Sequence, residues 1–285
     1  MQGEGVSELG LETGYASSGD GTQLLFRWHP ATESKGLILI VHGFGEHSGR
    51  YLHVMRALNE SGYSCFAFDL RGHGRSGGAR AFVNRFSDYL DDVDAAIAWA
   101  RERSPNLPLT LIGHSMGGLT VANWIADRGK EAHSFILSSP AIGVALPVPG
   151  WKDALGRVMS RFIPKLAIPT GLDPTLVSRD PAVVSAYTGD RLVLTQATAR
   201  WYVEFLGAQV NALESAHRVK TSALILQAGA DGLVDPEASR RYAGLLGGKD
   251  VSFSHHEGLY HELFNEPEQQ AIFDEIVAWL DARRA

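Results

Sequence analysis

Gly113-His114-Ser115-Met116-Gly117 stands between the apolar run Leu109–Ile112 and a segment with helical patterning. A serine with glycines two residues away on either side, on a strand-to-helix turn, has the spacing of a nucleophile elbow. The reason for that spacing is steric. The turn holds the serine in strained backbone that lifts its hydroxyl clear, and it brings strand and helix too close for side chains at the flanking positions. The first N–H groups of the helix then point at the space beside the hydroxyl, where an oxyanion would form. A five-residue pattern arises easily by chance in a chain with 31 glycines. The surrounding sequence must therefore supply a base, an acid and a second oxyanion donor.

Outward from the elbow, apolar runs alternate with helical patterns. Leu11–Ala16 and Gln23–His29 flank Gly19-Asp20-Gly21, which predicts an antiparallel hairpin. Gly36–Val41, Tyr63–Phe68, Leu109–Ile112, Phe135–Ser138, Ala223–Gln227 and Val251–Ser254 predict strands. Tyr51–Glu60, Asp88–Arg103 (with Val93, Ile97 and Ala100 on one stripe), Gly118–Asp127 and Glu268–Arg284 (with Ile272, Ile276, Val277 and Leu280) predict helices between and after them. This order calls for an α/β fold with a mainly parallel sheet and helices on both faces. Some eighty residues between Ser138 and Ala223 break the alternation, with no convincing strand and helical stretches at Trp151–Phe162 and Ala197–Leu213. They read as a helical lid insertion. The domain division is then 1–142 (core, first part), 143–215 (lid) and 216–285 (core, second part).

The formal net charge of −6 argues against nucleic acid as a partner. No basic-then-apolar leader opens the chain and no apolar run is long enough for a bilayer, so the expected compartment is the cytoplasm. The single Cys65 sits in an apolar run and reads as a buried, inert thiol. Neither an H-x-x-x-H pair nor clustered cysteine suggests a metal site.

A serine hydroxyl needs a base, and on this architecture the acid and the histidine should follow it at the carboxyl ends of later strands. The acid is Asp231 or Asp235. Asp231 comes directly off the end of Ala223–Gln227, whereas Asp235 precedes Pro236 and a helical stretch and has a sufficient task as an N-cap. Among eleven histidines, His261 lies in the loop after the last strand, free to swing toward the serine. His255 and His256 read as partly exposed strand-end residues; His29, His53, His133 and His217 read as scattered polar surface. The oxyanion donors expected are the Met116 N–H and the Phe44 N–H of Val41-His42-Gly43-Phe44-Gly45. His114 reads equally as a polar contact to a substrate or as a support for its neighbours. Arg71-Gly72-His73-Gly74-Arg75-Ser76 lacks the lysine of a phosphate loop and reads as a structural turn.

The runs His42-Gly43-Phe44-Gly45-Glu46-His47-Ser48-Gly49-Arg50-Tyr51, Asp69–Ser76, Gly113–Gly118, Gly229-Ala230-Asp231 and Gly258-Leu259-Tyr260-His261 resemble the monoacylglycerol lipase family of α/β-hydrolases. The likeness spans nearly the whole chain, and the ten-residue run is far more specific than the elbow. It implies the α/β-hydrolase fold, a catalytic triad of Ser115, Asp231 and His261, and an oxyanion hole at the Phe44 and Met116 amides. It also implies a lid over an acyl tunnel, a lipid ester as substrate, and neither metal nor organic cofactor. A lysophospholipase or a broad carboxylesterase would use the same triad. A serine aminopeptidase would want an acidic pocket, and the lid offers only dispersed Asp153, Asp173, Asp180, Asp190 and Glu204. The apolar lid residues Leu146, Val148, Trp151, Leu155, Met159, Phe162 and Ile163 leave two readings open: brief docking on lipid surfaces, or packing against tunnel and core.

Overall fold

The computed structural model describes residues 3–6, 10–145 and 150–284. The chain opens with β1 (Gly3–Val6), β2 (Glu12–Ser17) and β3 (Gln23–His29), joined antiparallel. The β2–β3 turn is made by residues suited to it. Asp20 Oδ1 accepts the Thr22 N–H at 3.0 Å, and Gly21 takes φ +86°. Then follow β4 (Leu37–Val41), α1 (Leu52–Glu60), β5 (Ser64–Phe68), α2 (Ser87–Arg103), β6 (Leu109–His114), α3 (Met116–Arg128) and β7 (Ala132–Ser138). An inserted stretch carries α4 (Gly150–Phe162), β8 (Ala167–Pro169), α5 (Pro181–Gly189), β9 (Gln196–Thr198) and α6 (Ala199–Ser215). The chain closes with β10 (Ser222–Ala228), α7 (Pro236–Leu245), β11 (Val251–His256) and α8 (Gln269–Asp281).

The main sheet runs β1-β2-β3-β5-β4-β6-β7-β10-β11, parallel from β5 onward. Its centre is dry because its strands are apolar on both faces. In β4 every residue is buried, and the pleat sends Leu37, Leu39 and Val41 to one core and Ile38 and Ile40 to the other. The first core is closed by α2, α3, α6 and α7, the second by α1 and α8. On α8 the expected stripe is buried, with Val277 half-buried at its edge. This is the α/β-hydrolase arrangement.

Four features depart from the sequence reading. Gly3–Val6 forms an extra edge strand on β2. The insertion holds a small antiparallel pair, β8 with β9, where no strand was expected. It also holds α5, started by the Asp180 side chain accepting from Ala182 N–H, with Pro181 in the first turn. His53 and His29 are half-buried rather than on open surface, with His53 Nε2 donating to the Phe264 carbonyl at 2.7 Å.

Candidate active site

Ser115 sits where β6 becomes α3, with φ +53° and ψ −119°. That region is costly for a residue with a Cβ, by about 1–3 kcal/mol. The conformation is enforced from both sides. The Ser115 N–H donates to Ser138 O at 3.0 Å, and its carbonyl accepts from Leu119 and Ala141 at 3.0 and 2.9 Å. The glycines are required by close approach. A Cβ on Gly113 would lie 2.5 Å from the Gly117 carbonyl oxygen, and one on Gly117 would be driven into the Val41 carbonyl. Met116 begins α3, so its N–H is among those with no acceptor inside the helix.

Asp231 and His261 meet at the ends of β10 and β11. His261 Nδ1 donates to Asp231 Oδ2 at 2.8 Å, and the carboxylate is wholly buried. Asp231 Oδ1 accepts the Leu233 and Val234 N–H groups at 2.9 and 3.0 Å, which fixes its orientation. Burial alone would raise the Asp231 pKa, but the His261 imidazole and these N–H groups hold it below the usual carboxylate value. Burial would likewise lower that of His261; the Asp231 charge and hydrogen bond, helped by Glu262 and Glu46, raise it above its ordinary 6.5. With Nδ1 committed to Asp231, Nε2 is the nitrogen left for chemistry. Asp235 stands apart, accepting the Glu237 N–H at 3.0 Å as the N-cap of α7. His255 pairs with Glu257 and His256 with Glu275, each at 3.3 Å, and neither joins Asp231.

The loop after β4 completes the cluster. A Cβ on Gly43 would come 3.1 Å from the Ser115 Cβ and 3.4 Å from His114 Cδ2, so loop and elbow are in contact. His114 is buried with its ring 4.7 Å from that of His261, and its Nδ1 donates to Ser138 O at 3.1 Å. Burial depresses its pKa, and its contacts to Ser138 and the His261 ring favour the reading as a support for its neighbours.

A charged network behind the site was not read from the sequence. Glu46 Oε1 accepts the Gly43 N–H at 2.6 Å and the Tyr51 hydroxyl at 2.7 Å. Arg50 forks onto Glu262 with two 2.7 Å bonds and reaches Glu46 at 3.2 Å, so the two glutamates that act on His261 besides Asp231 are both paired. The signal available was three charged residues, Glu46, Arg50 and Glu262, set against the glycine loop and the histidine. Arg71 bridges Asp92 and Asp20, confirming that its turn is structural.

The model of the family described as Hydrolase_4, serine aminopeptidase S33, matches residues 32–268. The monoacylglycerol lipase of Mycolicibacterium smegmatis is 33% identical over 280 residues, covering 96% of this chain and 98% of that one. Phospholipase YtpA of Bacillus subtilis is 34% identical over 247 residues, covering 86% of this chain and 95% of that one. The crystal structure of Paleococcus ferrophilus monoacylglycerol lipase superposes with a TM-score of 0.84 at 34% identity, covering 91% of this chain and 99% of that one. With the family model spanning most of the chain and its relatives matched nearly end to end, the chain belongs to the Hydrolase_4 family, serine aminopeptidase S33, of the α/β-hydrolases.

Proposed function

We propose that the protein hydrolyses monoacylglycerols to glycerol and fatty acid through an acyl-enzyme on Ser115. The observation that carries this reading is the buried 2.8 Å Asp231–His261 pair at the sheet edge that also presents the strained Ser115. The substrate class rests on the likeness to the two monoacylglycerol lipases. His261 Nε2 takes the Ser115 proton as Oγ attacks the ester carbonyl. Asp231 holds Nδ1–H and stabilises the imidazolium, and the Phe44 and Met116 amides receive the oxyanion. His261 then protonates the departing glycerol oxygen. Water, deprotonated by His261, attacks the acyl carbonyl and releases the fatty acid. No metal or organic cofactor enters this scheme.

Among the described residues, the lid acids that an aminopeptidase pocket would use are dispersed and engaged elsewhere. Asp153 pairs with Arg157, Asp173 and Asp180 bond nearby backbone, Asp190 pairs with His47, and Glu204 accepts the Phe86 N–H. The likeness to a phospholipase keeps a lysophospholipid as the second substrate reading. Hydrolysis measured across monoacylglycerols of rising chain length, beside lysophosphatidylcholine, a small soluble ester and an aminoacyl amide, separates these. We expect glycerol esters to be turned over fastest and Ser115→Ala to be folded but inactive. Preference for any other substrate, or turnover by Ser115→Ala, overturns the reading.

Residues 143–215 are read as a lid between core parts 1–142 and 216–285. Its α4 exposes Trp151 (67%), Leu155, Val158 and Phe162 (72%), followed by Ile163, and Arg157, Arg161 and Lys165 are exposed alongside. Met159 is half-buried, and Leu146 and Val148 lie outside the described residues. Apolar groups at helical spacing beside cations fit an anionic lipid surface. Among the described residues no helix is long and apolar enough to cross a membrane. We read the protein as cytoplasmic and peripheral at membranes. Phe162→Asp is expected to reduce co-sedimentation with phosphatidylglycerol-containing vesicles; equal sedimentation of wild type and variant refutes the docking face.

A further inference from the structure

The loop after β4 is gripped by the insertion at three nearly consecutive residues. The Phe44 ring lies 4.1 Å, centroid to centroid, from that of Trp201 on α6, and meets the His73 imidazole edge-on at 5.5 Å. Trp201 in turn stacks on Phe205 at 4.9 Å. One residue on, the Gly45 carbonyl accepts the Leu194 N–H at 2.7 Å. Gly45 has φ +77°, and a Cβ there would sit 2.8 Å from Leu194 O. His47 Nδ1 accepts the Gly49 N–H at 3.1 Å, so Nε2 carries the proton it donates to Asp190 Oδ2 at 2.8 Å.

The gripping side is itself bolted down. Thr198 Oγ1 accepts the Trp201 N–H at 3.3 Å and donates to Ala81 O at 2.7 Å. Glu204 holds the Phe86 N–H at 3.1 Å, and Gln209 Nε2 donates to Ala141 O at 2.8 Å. α6 is thus a fixed surface against which the loop is set.

We infer that Trp201 and Asp190 are positioning residues for the Phe44 amide, so that the insertion sets the oxyanion donor as well as covering the site. The inference rests on the proposed role of that amide. A donor stabilises the transition state only when aimed closely at the oxyanion. Phe44 stands between Gly43 and Gly45, two residues that leave the backbone free to stray. Its own ring is the side-chain handle on that dipeptide junction, and Trp201 holds it. The His47–Asp190 pair and the Gly45–Leu194 bond fix the downstream limb.

The test is steady-state hydrolysis of p-nitrophenyl butyrate by the full chain carrying Trp201→Leu, Asp190→Ala, both changes, or Trp201→Phe. We expect kcat to fall about 10-fold in each of the first two, a part of the loss from removing a donor outright, with KM within about twofold. The double variant should lose less than the product of the two, because both act on one loop. Trp201→Phe, which keeps an aromatic face, should retain most of kcat. A lowered melting temperature with unchanged kcat, or a change confined to KM, overturns the inference while leaving the hydrolase reading intact. Should Trp201→Leu fail to fold, Asp190→Ala at a half-buried position decides alone. A wild-type protein no faster than Ser115→Ala overturns the underlying reading, and the inference with it.

Discussion

Ser115 and His261 each carry a cost that the surrounding residues absorb. The serine's positive φ is held by three backbone hydrogen bonds, and the buried imidazole is matched by a buried carboxylate. The charge pairing has a consequence for pH. In the proposed mechanism His261 must be neutral to act as base; its pKa is raised by Asp231, so kcat/KM should rise with pH through a midpoint above 6.5. The linkage to folding has the opposite sense. A raised folded pKa stabilises the protein below the unfolded value, and that contribution is lost as pH rises through the folded one. Asp231, with its pKa lowered, stabilises above the unfolded carboxylate value and loses its contribution as pH falls. A pH–rate profile with its midpoint at or below 6.5 would contradict the pairing. Strand-end position and chain order point to Ser115, Asp231 and His261 as the candidates, and Asp231 and His261 do meet. The Glu46–Arg50–Glu262 network was not, because an ion pair between residues 212 apart leaves no local pattern.

At the scale of elements, strand-to-helix spacing and helix starts impose different demands. Gly117→Ala puts a methyl group into the Val41 carbonyl, backbone against backbone, which α3 cannot relieve without leaving β4. Asp235→Ala only removes an N-cap from α7 and should cost about 1 kcal/mol with activity unchanged. Chemical denaturation of both variants, with turnover measured beside it, distinguishes these outcomes: loss of folded protein for the first, a small shift for the second. The buried strands β4, β6 and β10 were readable because apolar runs bounded by turns have few other uses. β8 and β9 were not. Each is three residues long and β8 is exposed throughout, so only their pairing defines them. The start of α5 is legible in Asp180-Pro181, but the body of the helix carries no amphipathic period.

Over the whole molecule, buried charge ties distant segments together. Arg71 donates to Asp92 on α2, to Ser18 and to Asp20 in the β2–β3 turn, and the Asp92 side chain is fully buried. Arg71→Ala leaves that carboxylate its backbone N–H at 3.1 Å but no cation, and should cost about 3–5 kcal/mol of stability. A loss under 1 kcal/mol in urea denaturation would show that Asp92 finds water or another partner. The insertion shows two characters at this scale. α6 contributes Trp201, Phe205, Ala208 and Ala212 to the core of the sheet, while α4 leaves its apolar side exposed. The hydrophobic pattern announced both helices and could not tell which one the core would claim.

The α/β architecture, the elbow and the chain order of the candidate serine, acid and histidine could be read along the chain, because hydrophobic period, glycine spacing and strand ends are local properties. What needed the folded chain was that His114 packs beside His261 and that Trp201 and Asp190 meet the loop of Phe44. Those choices depend on which side chains are brought together across long loops, and contact at a distance leaves no periodicity to read.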